Sequence, residues 1–167
     1  QMDAIIQLQP DILAFQEVTL NSINIIRKKL SVSYANIVDS LELVQDKSVL
    51  VGPRRYGVLI ASNYKIQTLN PKLFDIPWQE RVLSENVHHP KEIIEFHTAY
   101  IPPGSTNRWK KIETLEGIYK RLTLQTDTKR ILCGDFNTPQ DELAQYGAVT
   151  FAQKINKIGV PKLKESF

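Results

Sequence analysis

The sequence predicts an α/β (α+β) domain built on mixed β-sheet. Two observations carry that expectation. Apolar stretches such as YGVLIAS, KEIIEFHTAY and RILCGDF have strand length and strand composition, and they alternate with helical periodicity at 19–31 and 106–124. Some strands also follow one another with no helix between them, which excludes a simple strand–helix–strand wind.

The 167 residues fit a single domain, 1–167. An apolar share of 42% supplies a core and excludes a disordered chain. The longest apolar runs, such as ILAF and VLIA, fall far short of the roughly 18 residues of a membrane span. The net charge of +3 is spread over separate basic pairs and triplets, the pattern of solvated helix faces and loops. Cys133 is the single cysteine, so no intramolecular disulfide forms; with no signal-like opening, this points to a cytoplasmic location.

Taken in order, Met2, Ile5, Ile6 and Leu8 have helical spacing, and Pro10-Asp11 ends that helix. Residues 11–16 read as a buried strand. Residues 19–31 read as a helix capped by Thr19, with Leu20, Ile23, Ile26 and Leu30 on one face. Residues 34–44 stay open between strand and irregular structure, and Gly52-Pro53 marks a turn. Residues 56–63 form a strand buried on both faces, and 80–89 alternate as a strand. Residues 91–104 form a strand stopped by Pro102-Pro103-Gly104. In the helix 106–124, Trp109, Ile112, Leu115, Ile118, Tyr119 and Leu122 line the expected core face. Residues 130–136 form the last clear strand, and 155–167 read as loop. Because the chain opens at a helix with no strand before it, the domain is expected to be incomplete at both ends. Open sheet edges would then favour self-association.

Three strand ends carry polar groups. In ILCGDFN, Asp135 and Asn137 share one side of the strand while Phe136 turns toward packing; Gly134 permits close backbone approach and Pro139 forbids continuation. The same residues would also suit an Asx-turn. In DILAFQEV, a buried strand ends in Gln16 and Glu17, and Glu17 offers a hard oxygen that suits Mg²⁺. In HTAYIPPG, Tyr100 stands beside a stiff turn, where its hydroxyl can donate to a phosphate oxygen or simply pack. His97 falls on the opposite face and reads as structural. His88 and His89 have no spaced partner for a metal site.

Together, PDILAFQEV, YGVLIAS, AYIPPG and ILCGDFNTP, in that order over residues 10–139, resemble the endonuclease/exonuclease/phosphatase superfamily of metal-dependent phosphodiesterases, which includes exonuclease III-like nucleases and DNase I. The resemblance implies a sandwich of two mixed β-sheets flanked by helices. It implies Mg²⁺ (or Mn²⁺) on Glu17, Asp135 handling the attacking water, and Asn137 and Tyr100 on the phosphate. Arg108 matches weakly as a phosphate contact, and Gln16 stands at most behind the site. The family also has an Asn on a strand before QE and a C-terminal Ser-Asp-His element; no histidine follows Asn137 here. The leading expectation is a divalent-metal phosphodiester hydrolase, a nuclease acting on DNA. The alternatives are hydrolysis of small phosphoesters or lipid head groups, and a non-catalytic module that keeps the fold and binds nucleic acid or protein.

Overall fold

The computed structural model describes residues 2–107, 109–137, 142–144 and 147–149. Helix α1 (Met2–Gln7) leads through a left-handed Gln9 (φ 47°) into strand β1 (Ile12–Val18). Helix α2 (Leu20–Leu30) starts two residues later, because Thr19 and Ser22 cap it reciprocally. The Thr19 hydroxyl accepts from the Ser22 N–H, and the Ser22 hydroxyl accepts from the Thr19 N–H. Such a cap contributes about 1 kcal/mol.

The open stretch 34–44 divides into two elements. Strand β2 (Asn36–Asp39) ends at Asp39, whose carboxylate accepts from the Glu42 N–H and starts helix α3 (Ser40–Leu43). Strand β3 (Gly57–Ser62) is buried at every position. β1 and β2 flank β3, both antiparallel to it.

The second sheet runs in the order β4 (Ile66–Thr68), β5 (Val82–His89), β6 (Glu92–Tyr100), β7 (Lys129–Asp135). It is mixed: β4, β5 and β6 are antiparallel neighbours, while β6 and β7 are parallel. A parallel pair needs a crossover, and here it passes through α4 (Gly104–Asn107) and α5 (Trp109–Leu122). A hairpin of β8 (Glu142–Ala144) and β9 (Gly147–Val149) follows. β4, β8 and β9 went unanticipated because three residues are too short to show a period.

Three apolar clusters order these elements into layers. Ile23 and Leu30 of α2 pack on Leu59 and Ala61 of β3. Between the sheets, Val58 and Ile60 of β3 meet Leu83 and Val87 of β5 and Phe96 and Tyr100 of β6. On the far side, Leu115 and Ile118 of α5 cover Val82, Ala99 and Ile101. Alternate residues of β3 therefore serve opposite layers, which is why its sequence is continuously apolar.

The two helices present slightly different faces from those expected. Trp109 is 58% exposed and Leu20 46% exposed. The buried positions of α5 are Lys111, Ile112, Thr114, Leu115, Gly117 and Ile118, so the expected Ile112, Leu115 and Ile118 do face the core. Trp109 lies two residues, roughly 200°, around the helix from Lys111, so it faces away from the sheet.

A candidate active site at the strand ends

Glu17 is placed by a bulge. Phe15 pairs with Leu59 and Val18 with Gly57, so Gln16 and Glu17 together oppose Val58. Glu17 takes a left-handed backbone (φ 59°) and its side chain is exposed, whereas Gln16 turns inward and donates from Nε2 to Thr98 Oγ1 across the sandwich at 2.9 Å. Bulges re-aim side chains in this way. A left-handed non-glycine residue costs on the order of 1–3 kcal/mol and persists where its surroundings enforce it. Among the described residues the non-glycine positions with positive φ are Gln9, Glu17 and Asn137, so two of the three are candidate site residues.

Asp135 and Asn137 are placed by β7 and the turn after it. Gly134 has φ 143°, and a Cβ there would stand 2.0 Å from the Ala99 carbonyl oxygen. Only glycine lets β7 approach β6 this closely. Tyr100 and Asp135 are paired in the parallel register, and the Ile101 N–H donates to the Asp135 carbonyl at 2.8 Å. Beyond the strand the Asn137 N–H donates to Asp135 Oδ1 at 2.8 Å, the Asx-turn that the sequence allowed. The Asn137 side chain does not simply continue the alternation of the strand, since its backbone is left-handed and its Nδ2 donates to the Ile101 carbonyl at 2.8 Å. Phe136 packs toward the α5 layer, as expected.

Tyr100 joins the two halves. Its ring is buried in the inter-sheet cluster and meets Tyr56 edge-on at 6.0 Å. Burial first, and then the Glu17 carboxylate facing its hydroxyl, push Tyr100 up to about 12, while Arg81 draws it down. The phenol therefore stays protonated, a donor rather than a base. Tyr100 thus faces Glu17 of the first sheet and is paired in register with Asp135 of the second.

Two buried cations in the site were not foreseen. Lys111 is fully buried on α5, and its Nζ donates to the Asn137 carbonyl, bracing the turn from beneath. Burial lowers its pKa, and the nearby Asp135 carboxylate partly restores it. Counting back four and seven residues from Leu115 and Ile118 lands on position 111, so the helical period held a signal for it. Arg81 is 1% exposed, with its Cζ 4.3 Å from the Tyr100 ring centroid. Nothing in its sequence neighbourhood marks it as buried.

The remaining sequence candidates separate from this group. His97 is fully buried on the α5 side of β6, with Nδ1 2.7 Å from Ser84 Oγ and Nε2 3.1 Å from Glu95 Oε1. Burial lowers it to about 4, so it is a neutral structural side chain. The Cys133 thiol is pushed up by burial. Arg108 lies outside the described residues, as do 155–167. No three His, Cys, Asp or Glu gather among the described residues. Glu17 is an exposed hard oxygen donor, of the kind that could hold a divalent cation, which takes one or two protein carboxylates and keeps several waters.

Comparison with known proteins bears on the family and the fold. Residues 2–148 match the model of the Endonuclease/Exonuclease/phosphatase family. No curated protein sequence matches the chain. Among solved structures, an AP endonuclease from Archaeoglobus fulgidus is similar at 19% identity and a TM-score of 0.67, over 98% of this chain and 63% of that one. A 3′-5′ exonuclease (NExo) from Neisseria meningitidis is similar at 19% identity and a TM-score of 0.65, over 97% and 66%. ANGEL2, a 2′,3′-cyclic phosphatase, gives 19% identity and a TM-score of 0.59, over 85% and 44%. At these identities the likeness establishes the fold. The chain spans less than two thirds of the length of the first of these structures.

Proposed function

Since the chain belongs to the endonuclease/exonuclease/phosphatase family, we propose that it is a hydrolase of phosphodiesters, dependent on a divalent cation and acting on DNA. The observation that carries this reading is the convergence of Glu17, Tyr100, Asp135 and Asn137, with Glu17 and Asn137 both held in strained backbone. Strain of that kind is retained where geometry matters.

Glu17 would hold the cation, which when bound supplies positive charge to the non-bridging phosphate oxygens. Tyr100 stays protonated and donates its O–H to a phosphate oxygen, a contact that strengthens as charge develops there. The second side-chain N–H of Asn137 serves the same end, its other hydrogen being engaged by the Ile101 carbonyl. Asp135 offers Oδ2 to the attacking water, while Oδ1 is held by the Asn137 N–H and fixes the carboxylate in place. Lys111 holds the turn that carries both groups.

The nuclease reading draws support from the similar AP endonuclease and 3′-5′ exonuclease. Hydrolysis of small phosphoesters is the second reading, favoured by the similar cyclic phosphatase and by the modest net charge of +3. The test is cleavage by the full-length protein of an abasic duplex, supercoiled plasmid and bis-p-nitrophenyl phosphate, with Mg²⁺, with Mn²⁺ and with EDTA. The proposal expects cation-dependent cleavage of a DNA substrate that Glu17→Gln abolishes. Cleavage of the small diester alone would favour the second reading, and no cation-dependent cleavage at all would sink both.

A further inference from the structure

Arg81 is a buried cation that its surroundings do not neutralise. One Nη donates to the Pro53 carbonyl, but Nε and the other Nη have no hydrogen-bond partner among the described residues. Its neighbour Glu80 is already engaged by Arg54, which donates to both carboxylate oxygens at 2.7 and 2.8 Å. Three rings surround the Arg81 guanidinium, Tyr100 at 4.3 Å, Trp78 at 5.4 Å and Tyr56 at 5.8 Å from Cζ to ring centroid, and the Tyr100 hydroxyl also interacts with it. Beyond Glu80, the carboxylate whose charge reaches it is Glu17.

A guanidinium with unmatched N–H groups is an expensive way to fill a core. An apolar side chain of similar volume there is often neutral or stabilising. Its cost is intelligible if the charge is used. Cation–π attraction fixes the plane of the ring above it, and the attraction is strong when the cation is desolvated. Tyr100 is held edge-on by Tyr56 and faced by Arg81, whose charge also reaches its hydroxyl, so the hydroxyl is held on the side of the site where Glu17 lies.

We propose that Arg81 is a positioning residue, which holds Tyr100 in register with Glu17 and acts on the reaction through Tyr100, without touching substrate. This rests on the proposed phosphodiesterase reading and adds to it a residue behind the site.

The test compares the full-length wild type with Arg81→Met, Arg81→Lys, Tyr100→Phe and the double variant Arg81→Met/Tyr100→Phe, by steady-state kinetics on the preferred diester and by thermal melting. Arg81→Met is expected to lower kcat 10- to 100-fold with KM within threefold, and to melt no lower than wild type. The double variant is expected to be no slower than the slower single, because the second loss is already contained in the first. Arg81→Lys is expected to recover part of kcat. Losses that multiply in the double variant would overturn the proposal, as would a melting temperature that falls in proportion to activity. An active wild type beside an equally active Arg81→Met would overturn it while leaving the phosphodiesterase reading intact. An inactive wild type would overturn that reading and this inference with it.

Discussion

Tyr100 and Asp135 are register partners in adjacent parallel strands, each the last residue of its strand. The pairing brings the proposed phosphate donor beside the proposed water-handling carboxylate, and the bond from the Ile101 N–H to the Asp135 carbonyl extends it past the strand ends. Asp135→Asn keeps an Oδ1 acceptor for the Asn137 N–H. The expected outcome is a loss of turnover of roughly 10²–10⁴-fold, the range of a lost acid–base group. Stability should change by less than about 1 kcal/mol, since the hydrogen bond that defines the turn survives. Single-turnover cleavage and urea unfolding of the same sample check both. Full activity in the variant would remove Asp135 from the chemistry.

Lys111 tests the other side of the turn. Lys111→Met abolishes the donor to the Asn137 carbonyl and also relieves a buried charge. These effects oppose: an unpaired carbonyl costs about 1–3 kcal/mol, and removing an ion from the interior returns part of that. The expected outcome is a small net destabilisation of about 1 kcal/mol, with turnover down about tenfold, because the left-handed Asn137 loses its anchor. Unchanged turnover would show that the Asp135–Asn137 turn holds itself.

The strand ends were legible in the sequence because their chemistry interrupts an apolar run: ILAF and ILC are uniformly apolar, and within two residues a carboxylate arrives. β3 was legible for the same reason, as a strand wanted on both faces. The bulge at Gln16-Glu17 was not, since it depends on how β1 pairs with β3, a long-range fact with no local mark. Arg81 and Lys111 were missed because charged residues are ordinarily assigned to solvent. Only the packing of three rings around Arg81, and the reach of Lys111 to a carbonyl 26 residues away, make their burial intelligible.

Gly134 was anticipated as a close-approach residue, and its geometry makes a severe test. Alanine would place its Cβ 2.0 Å from the Ala99 carbonyl oxygen, backbone that cannot swing aside, at φ 143°, which L-residues rarely adopt. Gly134→Ala should destabilise by at least about 3 kcal/mol, the upper end for overpacking, and should loosen the β6–β7 register that aligns Tyr100 with Asp135. The urea midpoint measures the first effect, and amide exchange along Lys129–Asp135 the second. A variant as stable as wild type would mean that the two strands can separate at this point without cost.

Two buried titratable groups outside the site predict opposed pH effects. Glu85 lies between the sheets, fully buried, and burial raises it from 4.5 to about 7 against the opposing pull of the nearby Thr68 hydroxyl. Its folded state holds a proton that the unfolded chain has lost. The stability this contributes is present below pH 4.5 and disappears as pH rises through 7, about 3 kcal/mol in all. His97 runs the other way: burial lowers it from 6.5 to about 4, so its contribution is present above pH 6.5 and is lost as pH falls toward 4. In the wild type the two slopes offset each other between pH 4.5 and 6.5, and stability declines from there to above pH 7. Glu85→Gln, which fixes the neutral form, should leave only the His97 slope, with stability rising from pH 4 to 6.5 and staying level above it. At pH 8 the variant should be more stable than wild type. Urea midpoints from pH 4 to 8 decide the matter, and parallel curves for the two proteins would show that Glu85 is ionised in the folded chain after all.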